Sequence, residues 1–372
     1  MARLFTCGFE ENNLLETMWT ATDASALILQ TATVHSGTYA VETDPAVSTS
    51  NTYKKFPAGK TSGSVFTRFY FRTSAWTNGN RVGNLANFGN SANSWVMTMQ
   101  AGTILRLTNS TDNSTIDTGA LNVNQWYRVE TRTLISDTVG EQELLIDGSS
   151  IGTLTGKDTM PSNVGIFKLG HNTSGGTKVF YDDIAINDDS GTFQNSFPGP
   201  GKIFLVKPDG DDTVAWTSVP ATGTNAQDVD DVPGAPDDLT TYNHISNLTS
   251  VDKLTLQNLG VEVPSDADLV LADVYGRQGS NGTSGQRSII YKIWDKGDTS
   301  TDTTELSLVA MYFLNQSLGI YTVYSIETED EDGSENEMTM NIIGANYFFN
   351  ESAYIDDFIL HNHEGAVNVG AL

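Results

Sequence analysis

The chain has 372 residues, which suits two domains of ordinary size better than one. Its formal net charge is −26, with a pI of about 4.3 and charged residues at 18%. With only 20 Lys and Arg, spread along the chain, it has no basic footprint for DNA or RNA and no attraction to an anionic membrane surface.

Hydrophobic residues make up 38% of the chain, and Gly numbers 34. That composition suits many short strands joined by turns, since an alternating strand buries only one face. No long run carries apolar residues at helical spacing. Residues 1–10, Met-Ala-Arg-Leu-Phe-Thr-Cys-Gly-Phe-Glu, lack the apolar core of a signal peptide. No stretch reaches the roughly 18 apolar residues of a membrane span. The expectation is a soluble chain made in a host cytoplasm. The single cysteine, Cys7, cannot form an internal disulfide and is expected to be buried near the first strand.

In chain order, the first domain is expected over 1–190. Val65, Thr67, Phe69 and Phe71 alternate with Phe66, Arg68, Tyr70 and Arg72, which predicts a strand with one apolar face. Trp95, Met97 and Met99 alternate in the same way, as do Leu105 and Leu107 around Arg106. Leu144-Leu-Ile-Asp-Gly148 predicts a strand ending in a tight Asp-Gly turn, with Ser149–Thr153 returning. The stretch 191–201 has three Gly and two Pro and is expected to link the domains. The second domain, 202–372, opens on Lys202-Ile-Phe-Leu-Val-Lys207 and a turn-rich acidic piece to Thr241. Lys253–Gln257, Leu269–Tyr275, Ser288–Trp294, Ile320–Ser325 and Met338–Ile343 are its expected strands. Glu327–Glu337 is expected to be an acidic loop that its like charges extend. Tyr181-Asp-Asp-Ile-Ala-Ile-Asn187 is echoed by Ile355-Asp-Asp-Phe-Ile-Leu-His-Asn362, each near a domain's end.

Five stretches of the first domain fall in a telling order. They are Gly8-Phe9-Glu10, Ser36–Glu42, Gln125–Glu130, Leu144–Gly148 and Val179–Ile186. As a set they resemble a concanavalin A/laminin-G-like jelly-roll sandwich. The second domain resembles a module of tailed-bacteriophage virion structural proteins. Ala215-Trp-Thr217, Asp237–Ile245, Val251–Leu256, Val261-Glu-Val-Pro264 and Leu269–Tyr275 carry that likeness, from about 200 to 345. The ending, Tyr354-Ile-Asp-Asp-Phe-Ile359, departs from the module's pattern. The resemblance implies an all-β chain of two antiparallel β-sandwich domains with a virion role.

Candidate chemistry is sparse. Glycoside hydrolysis needs two carboxylates facing across a sugar bond, and no strand-borne Glu-x-Asp-x-x-Glu spacing occurs. Asp182 and Asp183 are candidate calcium ligands, as are Asp209, Asp211 and Asp212, although Asp also caps turns at such places. His361 and His363 share a strand face and form the one close His pair, without a third ligand nearby in sequence. No nucleophile elbow or phosphate-binding Gly-rich motif is present. Trp76, Trp95 and Tyr127 are the candidates for stacking on a sugar ring, with core packing the competing reading. Trp126 belongs to the strand pattern and is assigned to the core.

The expectation is therefore a phage capsid decoration or accessory protein that docks on neighbouring virion subunits, without enzymatic chemistry. It would be a homo-oligomer and would need no cofactor, with Ca²⁺ the candidate ion. The alternatives are a tail- or head-borne adhesin for host glycans and a glycan hydrolase.

Overall fold

In the computed structural model, residues 3–231 are described save 11, 13–20, 23–26, 48–49, 88–91, 160–162, 172–176, 193 and 222. Beyond 231, residues 240–245 and 252–256 and the strands over 269–280, 291–293, 306–308, 319–323, 326–329, 335–338 and 353–364 are described. The chain is all-β, and its sheets are antiparallel. It divides into two compact units, Met1–Ile203 and Phe204–Leu372.

The first unit runs β1 (Arg3–Cys7), β2 (Ala21–Thr22), β3 (Leu27–Gln30), β4 (Ala40–Thr43), β5 (Ser50–Lys60), β6 (Ser64–Thr73), β7 (Arg81–Asn87) and β8 (Asn93–Gln100). It continues through β9 (Ile104–Asn109), β10 (Thr115–Asp117), β11 (Tyr127–Leu134), β12 (Gly140–Ile146), β13 (Ser149–Lys157), β14 (Val164–His171) and β15 (Val179–Asp188). The first sheet has the order β13-β12-β11-β6-β15-β4-β3, with β1 also on β15. The second has the order β10-β9-β8-β7-β14-β5-β2.

The period-two pattern decides which side chains face the partner sheet. From β6, Val65, Thr67, Phe69 and Phe71 are fully buried between the sheets. Met97 and Met99 of β8 and Phe167 and Leu169 of β14 face them from the second sheet, and Phe69 meets Phe167 at 6.1 Å between ring centroids. Burying each large side chain contributes about 1.5–3 kcal/mol. Tyr181 ties the layers directly, its hydroxyl donating to the Val82 carbonyl at 2.7 Å. Between β12 and β13, Asp147 and Gly148 have φ of 51° and 81°, the left-handed pair that a two-residue hairpin turn needs.

Phe197 and Gly199 of the stretch 191–201 lie against the outer face of the first sheet. Phe197 packs edge-on against Phe66, Gly199 donates its amide to Glu130, and Arg68 donates to the Gly199 carbonyl. In the second unit, Asp211 accepts the amides of Asn225 and Ala226, and Asp252 accepts those of Ala215 and Trp216. Ile326–Glu329 and Glu335–Met338 pair as a hairpin with Glu327 opposite Glu337, which corrects the expectation of an extended loop at these ends. Residues 330–334 lie outside the described ones. So does much of the module-like stretch, including 246–251 and 257–268.

Candidate functional site

Cross-strand register places several polar and cationic residues on the outward face of the second sheet. Residues directly opposite one another share a face. One row runs Asp117–Arg106–Thr98–Arg81, from β10 through β9 and β8 to β7. A second runs Thr115–Thr108–Val96–Asn84–Lys168, ending on β14. All except Asn84 are exposed or half-buried. Arg106 is held by Asp117 through two bonds of 2.5 Å, and the pair raises the guanidinium's proton affinity and lowers that of the carboxyl. Among the described residues Arg81 has no such carboxylate. Burial pushes its pKa down, and burial together with the charge of Arg81 pushes Lys168 down. In a chain with 46 acids, two cations that repel each other across an open sheet face mark a place suited to an anion.

Trp76 stands at the end of this sheet. It is half-buried, edge-on to Phe71, with its indole N–H donating to the Gln100 carbonyl at 2.6 Å. Gln100 in turn donates to the Thr98 hydroxyl. Arg81 follows five residues later, after a turn in which Gly79 donates its amide to Met99. A ring for stacking, a hydroxyl, an amide and two cations thus belong to one face and its rim.

The other aromatic candidates are corrected. Trp95 is 0% exposed and faces the sandwich interior with Met97 and Met99, so it offers no ring face to a ligand. Tyr127 is 6% exposed, and its hydroxyl accepts the Asn122 amide. Trp126, assigned to the core from its strand pattern, is half-buried instead. It immediately precedes β11, whose Tyr127 and Val129 point inward, so alternation turns it outward.

Asp182 and Asp183 anchor a buried corner beside β15. Asp182 accepts the amides of His35, Ser36 and Asp183. Asp183 accepts the Ile203 amide, the Ser36 hydroxyl and His35 Nδ1, the last at 2.5 Å. Asp183 has φ of 46°, a left-handed conformation that Asp tolerates better than most residues. Glu10 accepts the amides of Thr38 and Tyr39. A Cβ at Gly37 would lie 2.3 Å from Glu10 Oε1, so only glycine lets this loop approach. Burial, then the charges of Asp183 and Glu10, push Asp182 well above the usual carboxylate range. These carboxylate oxygens suit calcium by type, yet each faces a protein donor. Among the described residues no group of three or more His, Cys, Asp or Glu is arranged for a metal ion. Asp209 accepts the Thr255 hydroxyl. His361 and His363 lie two apart on the strand Ala353–Glu364, with side chains outside the described atoms.

No family model and no curated protein matches the chain. Similar solved structures include an endo-β-1,4-glucuronan lyase from Trichoderma reesei, at 16% identity and TM-score 0.36, covering 45% of this chain and 90% of that one. The alginate lyase Aly36B is similar at 11% identity and TM-score 0.36, over 50% of this chain and 96% of that one. A structure titled for ganglioside-dependent cell entry of botulinum neurotoxin type C is similar at 9% identity and TM-score 0.37, over 100% of this chain and 95% of that one. The expectation of a protein without enzymatic chemistry does not stand, since two of these similar structures are named as lyases.

Proposed function

We propose that this chain is a glycan-binding protein of a bacteriophage particle, and that the outward face of its second sheet takes an anionic polysaccharide. The observation that carries the proposal is Arg81, without a carboxylate partner among the described residues, on the same outward strand face as Lys168, with Thr98 opposite it and Trp76 at the sheet end. Guanidinium and ammonium groups take sugar carboxylates, hydroxyls and amides orient the ring, and Trp supplies a stacking surface. The virion setting rests on the phage-module resemblance of the second half. Its composition supports docking on basic neighbours, as a decoration or tail-borne subunit, and self-association belongs to the same proposal. Residues 204–372 carry 6 Lys and Arg against 28 Asp and Glu, a net −22, whereas 1–203 carry 14 against 18, a net −4.

Isothermal titration with polyuronates and neutral glucans tests the glycan reading. Binding of the polyuronate is expected, with about tenfold weaker affinity for Arg81→Gln and more for the Arg81→Gln, Lys168→Gln pair, since a charged hydrogen bond contributes roughly 1.5–3 kcal/mol. Equal binding of a neutral glucan, or full affinity in the double variant, would sink it. New unsaturated ends, followed by ultraviolet absorbance in the same mixtures, report cleavage. Immunogold labelling of particles made by the encoding genome tests the virion setting, which fails if purified particles carry no label.

Calcium at Asp182 and Asp183 is a further part of the proposal, since a proton or a divalent cation would offset the burial and the neighbouring Asp183 charge that lift Asp182. A carboxyl with a raised folded-state pKa destabilises the fold once ionised. Its contribution is fully present below the unfolded value near 3.8 and is lost as pH rises through the folded one. Relative to Asp182→Asn, the wild type is expected to gain melting temperature as pH falls from neutrality towards that value. At neutral pH, calcium is expected to raise the melting temperature of the wild type but not of Asp182→Asn. A melting temperature indifferent to calcium and to a chelator would remove the ion, and parallel pH curves for the two proteins would remove the titration.

A further inference from the structure

The outer face of the first sheet holds a second constellation that neither the strand packing nor the proposed polysaccharide face uses. The His35 ring stacks on Tyr70 with 3.6 Å between centroids, and Trp126 meets it edge-on at 5.8 Å. Asp183 already accepts the Ile203 amide and the Ser36 hydroxyl, so it acts as an acceptor towards His35 Nδ1 as well. That places the ring proton on Nδ1 and leaves Nε2 as an acceptor. Among the described residues no partner engages Nε2, and the His35 side chain is 19% exposed.

Arg72 completes the group. It lies two residues beyond Tyr70 on β6 and shares its face. Phe71 pairs with Tyr127, so Arg72 and Trp126 are the next residues along the two strands, and both leave the sheet outward. The neighbouring cations are engaged: Arg128 holds Glu130, and Arg68 holds the carbonyls of Asp183 and Gly199. Arg72 has no ion pair or hydrogen bond among the described residues, and its Nε is buried without an acceptor.

We infer that Trp126, His35 and Arg72 form a second binding site, for a single acidic sugar residue. Each group answers one part of such a ligand. The guanidinium fork matches a carboxylate. The indole face takes the apolar side of the ring, and Nε2 accepts a ring hydroxyl. A buried N–H without an acceptor is unfavourable in the free protein, and a bound carboxylate removes that penalty. The site stands on the sheet opposite the Arg81 face and does not depend on it.

The chain has six tryptophans, so a ¹⁵N spectrum of the full-length protein reports six indole N–H signals, with that of Trp126 identified by its loss in Trp126→Phe. Sodium glucuronate is expected to shift the Trp126 signal in a saturable way, and glucose is expected to leave it in place. Arg72→Gln is expected to weaken the response at least about tenfold while the other five signals stay put. If Arg72→Gln disturbs those five, Arg72→Lys replaces it, keeping the charge without the fork, and the same weakening is expected. A Trp126 signal that ignores glucuronate, responds equally to glucose, or titrates unchanged in a folded Arg72 variant overturns the inference.

Discussion

Asp183→Ala is expected to destabilise the first unit by about 3–5 kcal/mol, since each buried donor left unsatisfied costs about 1–3 kcal/mol. The carboxylate is 0% exposed and accepts from the Ile203 amide, the Ser36 hydroxyl and His35 Nδ1. Alanine orphans all three donors. It is also a poor residue for φ of 46°. Asp183→Asn separates these effects. Asparagine tolerates the left-handed conformation and keeps one oxygen for Ile203 and Ser36, so a loss of about 1–2 kcal/mol is expected from the His35 contact alone. Hydrogen exchange of peptides from β6 and β15 reads the change in this unit specifically. Equal protection in Asp183→Ala and wild type would mean that the corner does not hold the fold together. An Asn variant as unstable as the Ala variant would assign most of the effect to the hydrogen bond with His35.

The same corner marks the limit of what the sequence discloses. Strand patterning at Val65–Arg72 and the Asp147-Gly148 turn are local signals, set by side-chain period and by the left-handed demands of a two-residue turn, and they read directly from the residues. Asp182-Asp183 also reads as a turn, but their partners are at 35, 36 and 203, brought together only by sheet order. Arg81 and Lys168 are 87 positions apart, and only β7 pairing with β14 gives them one face. Lys168 did carry a local sign, as a lone cation within Gly165-Ile-Phe-Lys-Leu-Gly170. His35 carried none, because its role depends on Tyr70 and Trp126 from two other strands' neighbourhoods. The acidic stretch at 327–337 misled for a different reason: charge density favours extension locally, while backbone pairing closes its two ends into a hairpin.

Trp95 and Trp126 offer the sharpest comparison, because parity along a strand assigns them to opposite fates. Both sit in alternating sequence, but Trp95 shares its parity with Met97 and Met99 of β8, whereas Trp126 is out of phase with the inward Tyr127 and Val129 of β11. Trp95→Ala is therefore expected to cost about 3–5 kcal/mol of stability, the usual range for emptying a buried aromatic site. Any folded fraction is expected to bind polyuronate as the wild type does. Trp95→Phe is expected to cost only about 1 kcal/mol. The smaller ring opens a modest void, but it also removes an indole N–H that is buried without an acceptor, so two terms of opposite sign nearly offset. Urea unfolding monitored by hydrogen exchange in β8 supplies the stabilities, and titration of each variant supplies the affinities. Stability close to wild type for Trp95→Ala, combined with lost glycan binding, would return this residue to the surface and undo the assignment of sheet faces on which the Arg81 site depends.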